Sequence, residues 1–229
     1  LGIWAHPDDE SWASAGLMRM ASLNGQKLGI VTATKGDAGE SANEHKWPKD
    51  NLSEIRKKEL SDCLCHIGDV EQFWLDYMDG KLAQEDEIIA VDKLVRVINV
   101  FKPNTLVTFE TNGITGHLDH RTISKWVSLA AKKSETNCVV MQAIESKEKY
   151  EIAGRELDAK FNIFFNIDKP VLIAELDADI VIKLDSEILD CKMCCIQAHA
   201  SQSSQIFADE HAIKAVRTMS QTECFITAK

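Results

Sequence analysis

The sequence predicts an α/β fold, with a mostly parallel sheet covered by helices on both faces. Three observations predict it. Strand-like and helix-like apolar patterns alternate through the first 132 residues. The strand-like runs are short and continuously apolar, as in strands buried on both faces. Polar clusters follow the first, second and fourth of them, where open α/β sheets gather their ligands.

Residues 2–5 read as a strand that runs into His6-Pro7-Asp8-Asp9-Glu10. The chain opens directly on this run, which reads as the end of a strand whose beginning precedes residue 1. A helix is predicted over 11–23, closed by Asn24-Gly25, a pair suited to a helix stop. Residues 28–32 are the second strand, followed by a polar loop over 35–50 rich in Gly, Glu and Asn. Asn51 and Glu54 have capping-box spacing, although that motif usually starts with Ser or Thr. The helix behind them carries Ile55, Leu60, Leu64 and Ile67, and residues 73–75 are the third strand. A helix over 84–100 shows Ile88, Val91, Val95 and Ile98 at helical spacing. Pro103 breaks it, 105–109 is the fourth strand, and a helix follows over 119–132.

The second half is less regular. Strands are predicted at 139–144, 161–166 and 180–183, and helices at 186–198 and 208–219. No repeat, low-complexity segment or linker divides the chain, so residues 1–229 read as a single domain.

Composition narrows the function classes. A hydrophobic content of 45% and a charged content of 27% are those of an ordinary globular domain. A net charge of -10 repels phosphate backbones and argues against nucleic acid. No apolar run reaches the roughly 20 residues that cross a bilayer, so stable membrane insertion is not expected, and no secretory signal is visible. Seven cysteines, an odd number, do not suit a disulfide framework. Several lie in apolar contexts where a free thiol packs as a small hydrophobe, which predicts a reducing, cytoplasmic setting. Assembly is left open, a homo-oligomer included.

Three polar stretches carry the chemistry: residues 6–10, the loop 35–40, and Gly116-His117-Leu118-Asp119-His120. The topology brings all three to one end of the sheet. A cleft holding several imidazoles and carboxylates suits a borderline divalent metal such as zinc. A catalytic zinc keeps one open position for water and lowers that water's pKa to about 7. A nearby carboxylate can then take a proton, and a histidine can donate one.

Ala5-His6-Pro7-Asp8-Asp9-Glu10 resembles the signature of the LmbE-like, or PIG-L-type, deacetylases. The resemblance continues through Thr34-Lys35-Gly36-Asp37-Ala38-Gly39-Glu40, Arg56 with Glu59, and His117-Leu118-Asp119-His120, then Lys192 and His199-Ala200-Ser201-Gln202. It implies a Rossmann-like three-layer sandwich and a zinc-dependent hydrolase that removes an N-acetyl group from an N-acetylglucosamine-type conjugate, a small soluble molecule. By position it implies His6, Asp9 and His120 as metal ligands, with zinc or iron(II) as the ion. Asp8 would be the general base, and His117 would stabilise the oxyanion or protonate the departing nitrogen. Arg56, Asp79 and Glu40 would contact the substrate. Asp37 departs from the family's more frequent Glu.

Other readings stand beside these. His6-x-x-Asp9 alone also reads as a helix N-cap, and Asp119 as the cap of its own helix. Arg56 also reads as a helix charge paired with Glu59, and Asp79-Gly80 as a turn. Cys191-x-x-Cys194 is read as packed thiols rather than a zinc or redox pair. His45, His66 and His211 are read as isolated. Trp4, Trp74 and Trp126 are assigned to the core, and Trp47 to the mouth of the cleft. A non-catalytic sugar-binding module and an amidase for a different N-acyl substrate are the alternative functions. A nicotinamide-dependent oxidoreductase is disfavoured, because the first strand–helix turn lacks Gly-x-Gly-x-x-Gly and carries three carboxylates.

Overall fold

The computed structural model describes residues 1–228. Its seven strands form one sheet in the order β3-β2-β1-β4-β5-β7-β6. They are β1 (Gly2–Trp4), β2 (Leu28–Thr34), β3 (Val70–Tyr77), β4 (Thr105–Phe109), β5 (Val139–Ile144), β6 (Ile180–Lys183) and β7 (Thr222–Thr227). The first five pair in parallel, whereas β7 lies antiparallel to both β5 and β6. The main helices are α1 (Asp9–Leu23), α2 (Leu52–Ile67) and α3 (Glu87–Phe101), then, after the single turn α4 (Gly113–Gly116), α5 (Leu118–Lys133). Beyond β5 come α6 (Lys147–Lys149), a π-helical turn (Tyr150–Gly154), α7 (Arg155–Phe161), α8 (Ser186–Ala198), α9 (Ala200–Phe207) and α10 (Glu210–Met219). Helices α1, α2 and α8 pack together, and α3 packs on α5. The predicted sandwich with a mostly parallel sheet is the observed one.

The core explains the predicted elements. Ile3, Trp4, Ile30 and Val31 are fully buried, as strands covered on both faces require. In α3, Val91, Leu94 and Ile98 face the core, while Ile88 is 71% exposed, so the apolar stripe is narrower than its periodicity implied. A smaller cluster joins α8 to the C-terminal helices through Leu189, Met193, Ile196, Ala212 and Val216.

Two expectations about elements fail, and two elements lay outside the expectations. Residues 161–166 are not a strand: Asn162 takes a left-handed conformation that closes α7, and the Asp158 carboxylate then accepts the Phe164 amide. Asn51 precedes α2 but its side chain caps nothing, and Glu54 pairs with Lys57 instead. Strand β7 and helix α9 were not anticipated. β7 finds its partners across the sheet, antiparallel to β5 and β6, rather than in its own sequence.

The order of the first five strands places the topological switch between β1 and β4, whose neighbours run off in opposite directions. The crevice outside the carboxyl ends of two such strands is where open α/β sheets bind ligands. Residues 6–10 leave β1 there, and residues 110–120 leave β4 there.

Candidate metal centre and active site

The two loops meet, and three side chains converge. His6 Nδ1 lies 3.2 Å from His120 Nε2. Asp9 is 3.2 Å from His120 Nε2 through one carboxylate oxygen and 3.6 Å from His6 Nδ1 through the other. All three residues are buried. Neither Asp8 nor Asp9 caps α1 with its side chain, so the plain N-cap reading does not hold; Asp9 accepts the backbone N–H of His6 at 2.7 Å.

The remaining nitrogen of each imidazole is occupied. His120 Nδ1 bonds the Gly113 carbonyl at 3.0 Å, an acceptor, so this nitrogen carries the hydrogen. His6 Nε2 meets Asp79 at 3.0 Å and Asp119 at 3.4 Å, so it too is a donor. Both rings therefore turn a lone pair toward the other and toward Asp9. Two acceptors at that separation need a cation between them, either a captured proton or a metal ion. The outer arrangement, imidazole N–H to carboxylate or carbonyl, is the one that orients histidines on metals. The donor set fits zinc or iron(II).

The electrostatics agree. Burial opposes a charge on His6, but hydrogen bonds to Asp119 and Asp79 outweigh it and push its pKa up to about 10. Burial acts against the Asp9 charge as well, yet His120 and His6 hold its carboxyl below the usual range. The cavity thus holds positive charge strongly.

Asp8 stands beside this centre, half-buried. Its backbone has φ 109°, outside the ordinary range for a residue with a side chain. Burial raises its carboxyl to about 6, against the pull of the Arg56 guanidinium 3.0 Å away. His117 accepts the Asp119 amide on Nδ1 at 3.2 Å, which leaves its hydrogen on Nε2. Burial and the neighbouring imidazoles lower its pKa and keep it neutral. Its ring lies 4.9 Å from that of His6 and 5.0 Å from that of His120.

The expected substrate contacts fare differently. Arg56 is buried rather than solvated, and its guanidinium binds the Gly36 and Pro7 carbonyls and Asp8. Glu59 does not pair with it but accepts the Ser201 amide and hydroxyl. Asp79 is no simple turn residue: it joins His6 to the Ala38 amide. Glu40 is exposed on its loop, and Trp47 is half-exposed with Lys46 over its ring. Asp119 does not cap its own helix; its carboxylate accepts the Gly80 and Leu82 amides. His45, His66 and His211 are exposed, and Trp4 and Trp126 are core, whereas Trp74 is half-buried.

Residues 1–131 match the PIG-L family, described as GlcNAc-PI de-N-acetylase. The chain belongs to that family. It is therefore an amide hydrolase of the deacetylase type, as its motifs implied. The chain is 26% identical to a Bacillus cereus protein named "Probable N-acetyl-alpha-D-glucosaminyl L-malate deacetylase 2", over 93% of this chain and 87% of that one. Its fold matches N,N'-diacetylchitobiose deacetylase from Pyrococcus horikoshii with a TM-score of 0.71 at 18% identity, covering 99% of this chain and 82% of that one. The 4-carboxy-2-hydroxymuconate hydratase of Pseudomonas putida matches as well, with a TM-score of 0.70 at 14% identity, covering 100% of this chain and 95% of that one. The same fold thus supports a hydratase, so the fold alone does not choose the reaction.

Among the described residues, no helix is long and apolar enough to cross a membrane. Sequence reasoning missed the partners of the site rather than its members. The buried Glu10, to which the Asp8 amide donates, carried no signal beyond its place in the motif.

Proposed function

We propose that this protein is a zinc-dependent de-N-acetylase acting on a small N-acetylglucosamine conjugate. The observation that carries the reading is the facing pair of lone-pair nitrogens, His6 Nδ1 and His120 Nε2, with the Asp9 carboxylate against both. These three residues would hold the ion. Zinc, when bound, supplies Lewis acidity and a nucleophile at neutral pH.

The chain's own residues divide the remaining work. Asp8, with a carboxyl near 6, is charged at neutral pH and takes a proton from the attacking water. Having gained it, Asp8 delivers it to the departing nitrogen. His117, neutral and carrying its hydrogen on Nε2, donates a hydrogen bond to the carbonyl oxygen as negative charge develops there. Arg56 holds Asp8 from behind, and Asp79 orients His6, so both serve the machinery rather than the sugar. Glu40 and Trp47, on the loop beside Arg56, are left to meet the substrate. The substrate class is drawn from the family's description and from the Bacillus cereus relative, which is named for an N-acetylglucosaminyl malate.

The acting unit is the whole chain as one domain, in the cytoplasm. An amine-release screen over N-acetylglucosamine conjugates, with the protein reconstituted in zinc or iron(II), tests the reading. Acetate release that tracks bound zinc is the expected result. Stoichiometric metal with no acetate from any conjugate would falsify it.

A further inference from the structure

The reaction just described leaves one buried imidazole without a role. His199 sits at the junction of α8 and α9, 1% exposed, and its Nε2 lies 2.8 Å from Glu10 Oε1. We propose that His199 is a positioning residue for Asp8, acting through Glu10 on the peptide bond between Pro7 and Asp8. The inference rests on the assignment of Asp8 as the proton acceptor.

Asp8 precedes α1 with φ 109° and ψ -31°, a conformation that persists only where its surroundings over-determine it. This conformation keeps its carboxylate out of the usual N-cap bond and leaves it on Arg56 instead. A residue relaxed into the ordinary N-cap geometry would turn that carboxylate onto the first amides of α1.

The peptide unit that enters Asp8 is held at both of its polar ends. The Pro7 carbonyl accepts from Arg56 Nη2 at 2.5 Å, and the Asp8 amide donates to Glu10 Oε2 at 3.0 Å. Arg56 fixes one end and Glu10 the other, so the orientation of Glu10 sets the orientation of the plane.

Glu10 is itself fully buried, and its other oxygen is what fixes it. Oε1 accepts from Ser11 Oγ at 2.7 Å, His199 Nε2 at 2.8 Å and Cys63 Sγ at 3.4 Å. Ser11 shares the helix of Glu10, and the thiol is a weak donor. His199 is the strong donor brought from elsewhere in the chain. Its backbone carbonyl accepts from Ser203 Oγ at 3.0 Å, which anchors the junction in turn. A chain of contacts thus runs from the second half of the molecule to the backbone of Asp8. A bond that merely tied α8 to α1 would not need a carboxylate whose other oxygen holds that one amide.

The test compares His199→Ala, His199→Gln and Glu10→Gln with the wild type, each loaded with zinc. Metal content, acetate-release kinetics and a crystal structure are taken for each. His199→Ala is expected to keep its zinc and its KM but to lose about 100-fold in kcat, the cost of a small misplacement at a reacting group. Its Asp8 is expected to leave the positive-φ region. His199→Gln can return an N–H to the same oxygen, and it should restore most of kcat and the backbone. Glu10→Gln can keep its carbonyl on the Asp8 amide only by turning its N–H toward Ser11, Cys63 and His199 Nε2, which replaces the charge-assisted bond to His199 with a neutral one, so it should lose kcat in the same direction as His199→Ala.

Wild-type kcat in His199→Ala, or Asp8 still at positive φ in its crystal structure, overturns the proposal. If His199→Ala does not fold, wild-type kcat in Glu10→Gln, or Asp8 unmoved in its crystal structure, overturns it equally. If the wild type releases no acetate, the functional reading fails by itself, and the Asp8 backbone in the variant crystals still decides this inference.

Discussion

Two buried clusters of imidazole and carboxylate lie behind the first turn of α1, and they are built in opposite ways. In the cluster around Glu10 the carboxylate is fully supplied with donors: one oxygen takes three and the other takes the Asp8 amide, and only His199 Nδ1 is left without a partner. In the cluster around Asp9 two acceptor nitrogens face each other at 3.2 Å, each fixed from behind by a carbonyl or a carboxylate. Residue types and burial are alike in the two. Donor count at the carboxylate separates them: Glu10 has a donor for each oxygen, as a structural or positioning group does, whereas the two lone pairs beside Asp9 have no donor between them and leave room for a cation.

Removing members of the open cluster should have the largest effects. His120→Ala is expected to lose zinc and all turnover; zinc content at the wild-type level in the purified variant would remove His120 from the ligand set. Asp8→Ala should keep zinc and lose roughly 100- to 10,000-fold in kcat, the range of a general base. Full activity there would transfer the proton-accepting role to another group. Asp79→Asn tests the orientation of His6. The amide can still accept from Nε2 but brings no charge, and zinc affinity should fall about 10- to 100-fold, as for other groups that orient metal ligands. Competitive titration with a chromophoric chelator reads that loss directly.

A third charged pair sharpens the contrast from the closed side. Lys192 Nζ meets Glu223 Oε1 at 2.5 Å and the Trp12 carbonyl at 2.8 Å, and the Glu223 carboxylate also takes the Gly16 and Leu17 amides. This pair ties α8 and β7 to α1. Lys192→Met breaks a buried pair and leaves the carboxylate charged, which costs about 3–5 kcal/mol. Denaturant unfolding should show that loss while zinc affinity stays at the wild-type value. A parallel fall in zinc affinity would mean that the two clusters are not separable.

The open cluster was legible in the sequence because its members lie in two short motifs that each follow a strand. His6, Asp9, His117 and His120 needed only the parallel topology to meet. Their supports, Asp79 and Arg56, were expected at the substrate, and their actual partners were not legible. Asp79 is adjacent to Gly80 and reads as a turn, and nothing local reveals that its carboxylate orients an imidazole 73 positions away. Arg56 was expected at the substrate, or as a helix charge beside Glu59; its partners are the Gly36 and Pro7 carbonyls and the Asp8 carboxylate on other loops, and no sequence pattern reveals them. The parallel half of the sheet followed from alternation, whereas β7 and α9 depend on packing across the sheet and on a cap supplied by Glu59. Periodicity reports burial along one segment, and it carries no information about which distant segment supplies the partner.

The smallest expected effect is the pH dependence of the closed cluster. Burial acts against a charge on His199, but the Glu10 carboxylate more than offsets it and raises the imidazole well above its ordinary 6.5. A raised cation stabilises fully below 6.5 and loses that contribution as pH climbs through the folded value. Burial would lift the Glu10 carboxyl, but His199 and Ser11 lower it below its ordinary 4.5. A lowered acid stabilises fully above 4.5 and loses its contribution as pH falls through the folded value. The pair is therefore fully effective between 4.5 and 6.5. His199→Gln keeps a donor but not the charge, so its deficit against the wild type should be widest inside that window and narrow on the alkaline side. Urea unfolding of both proteins at several pH values measures it. A deficit that stays flat from pH 5 to pH 9 would mean that His199 is neutral when folded, holding Glu10 by a hydrogen bond without charge.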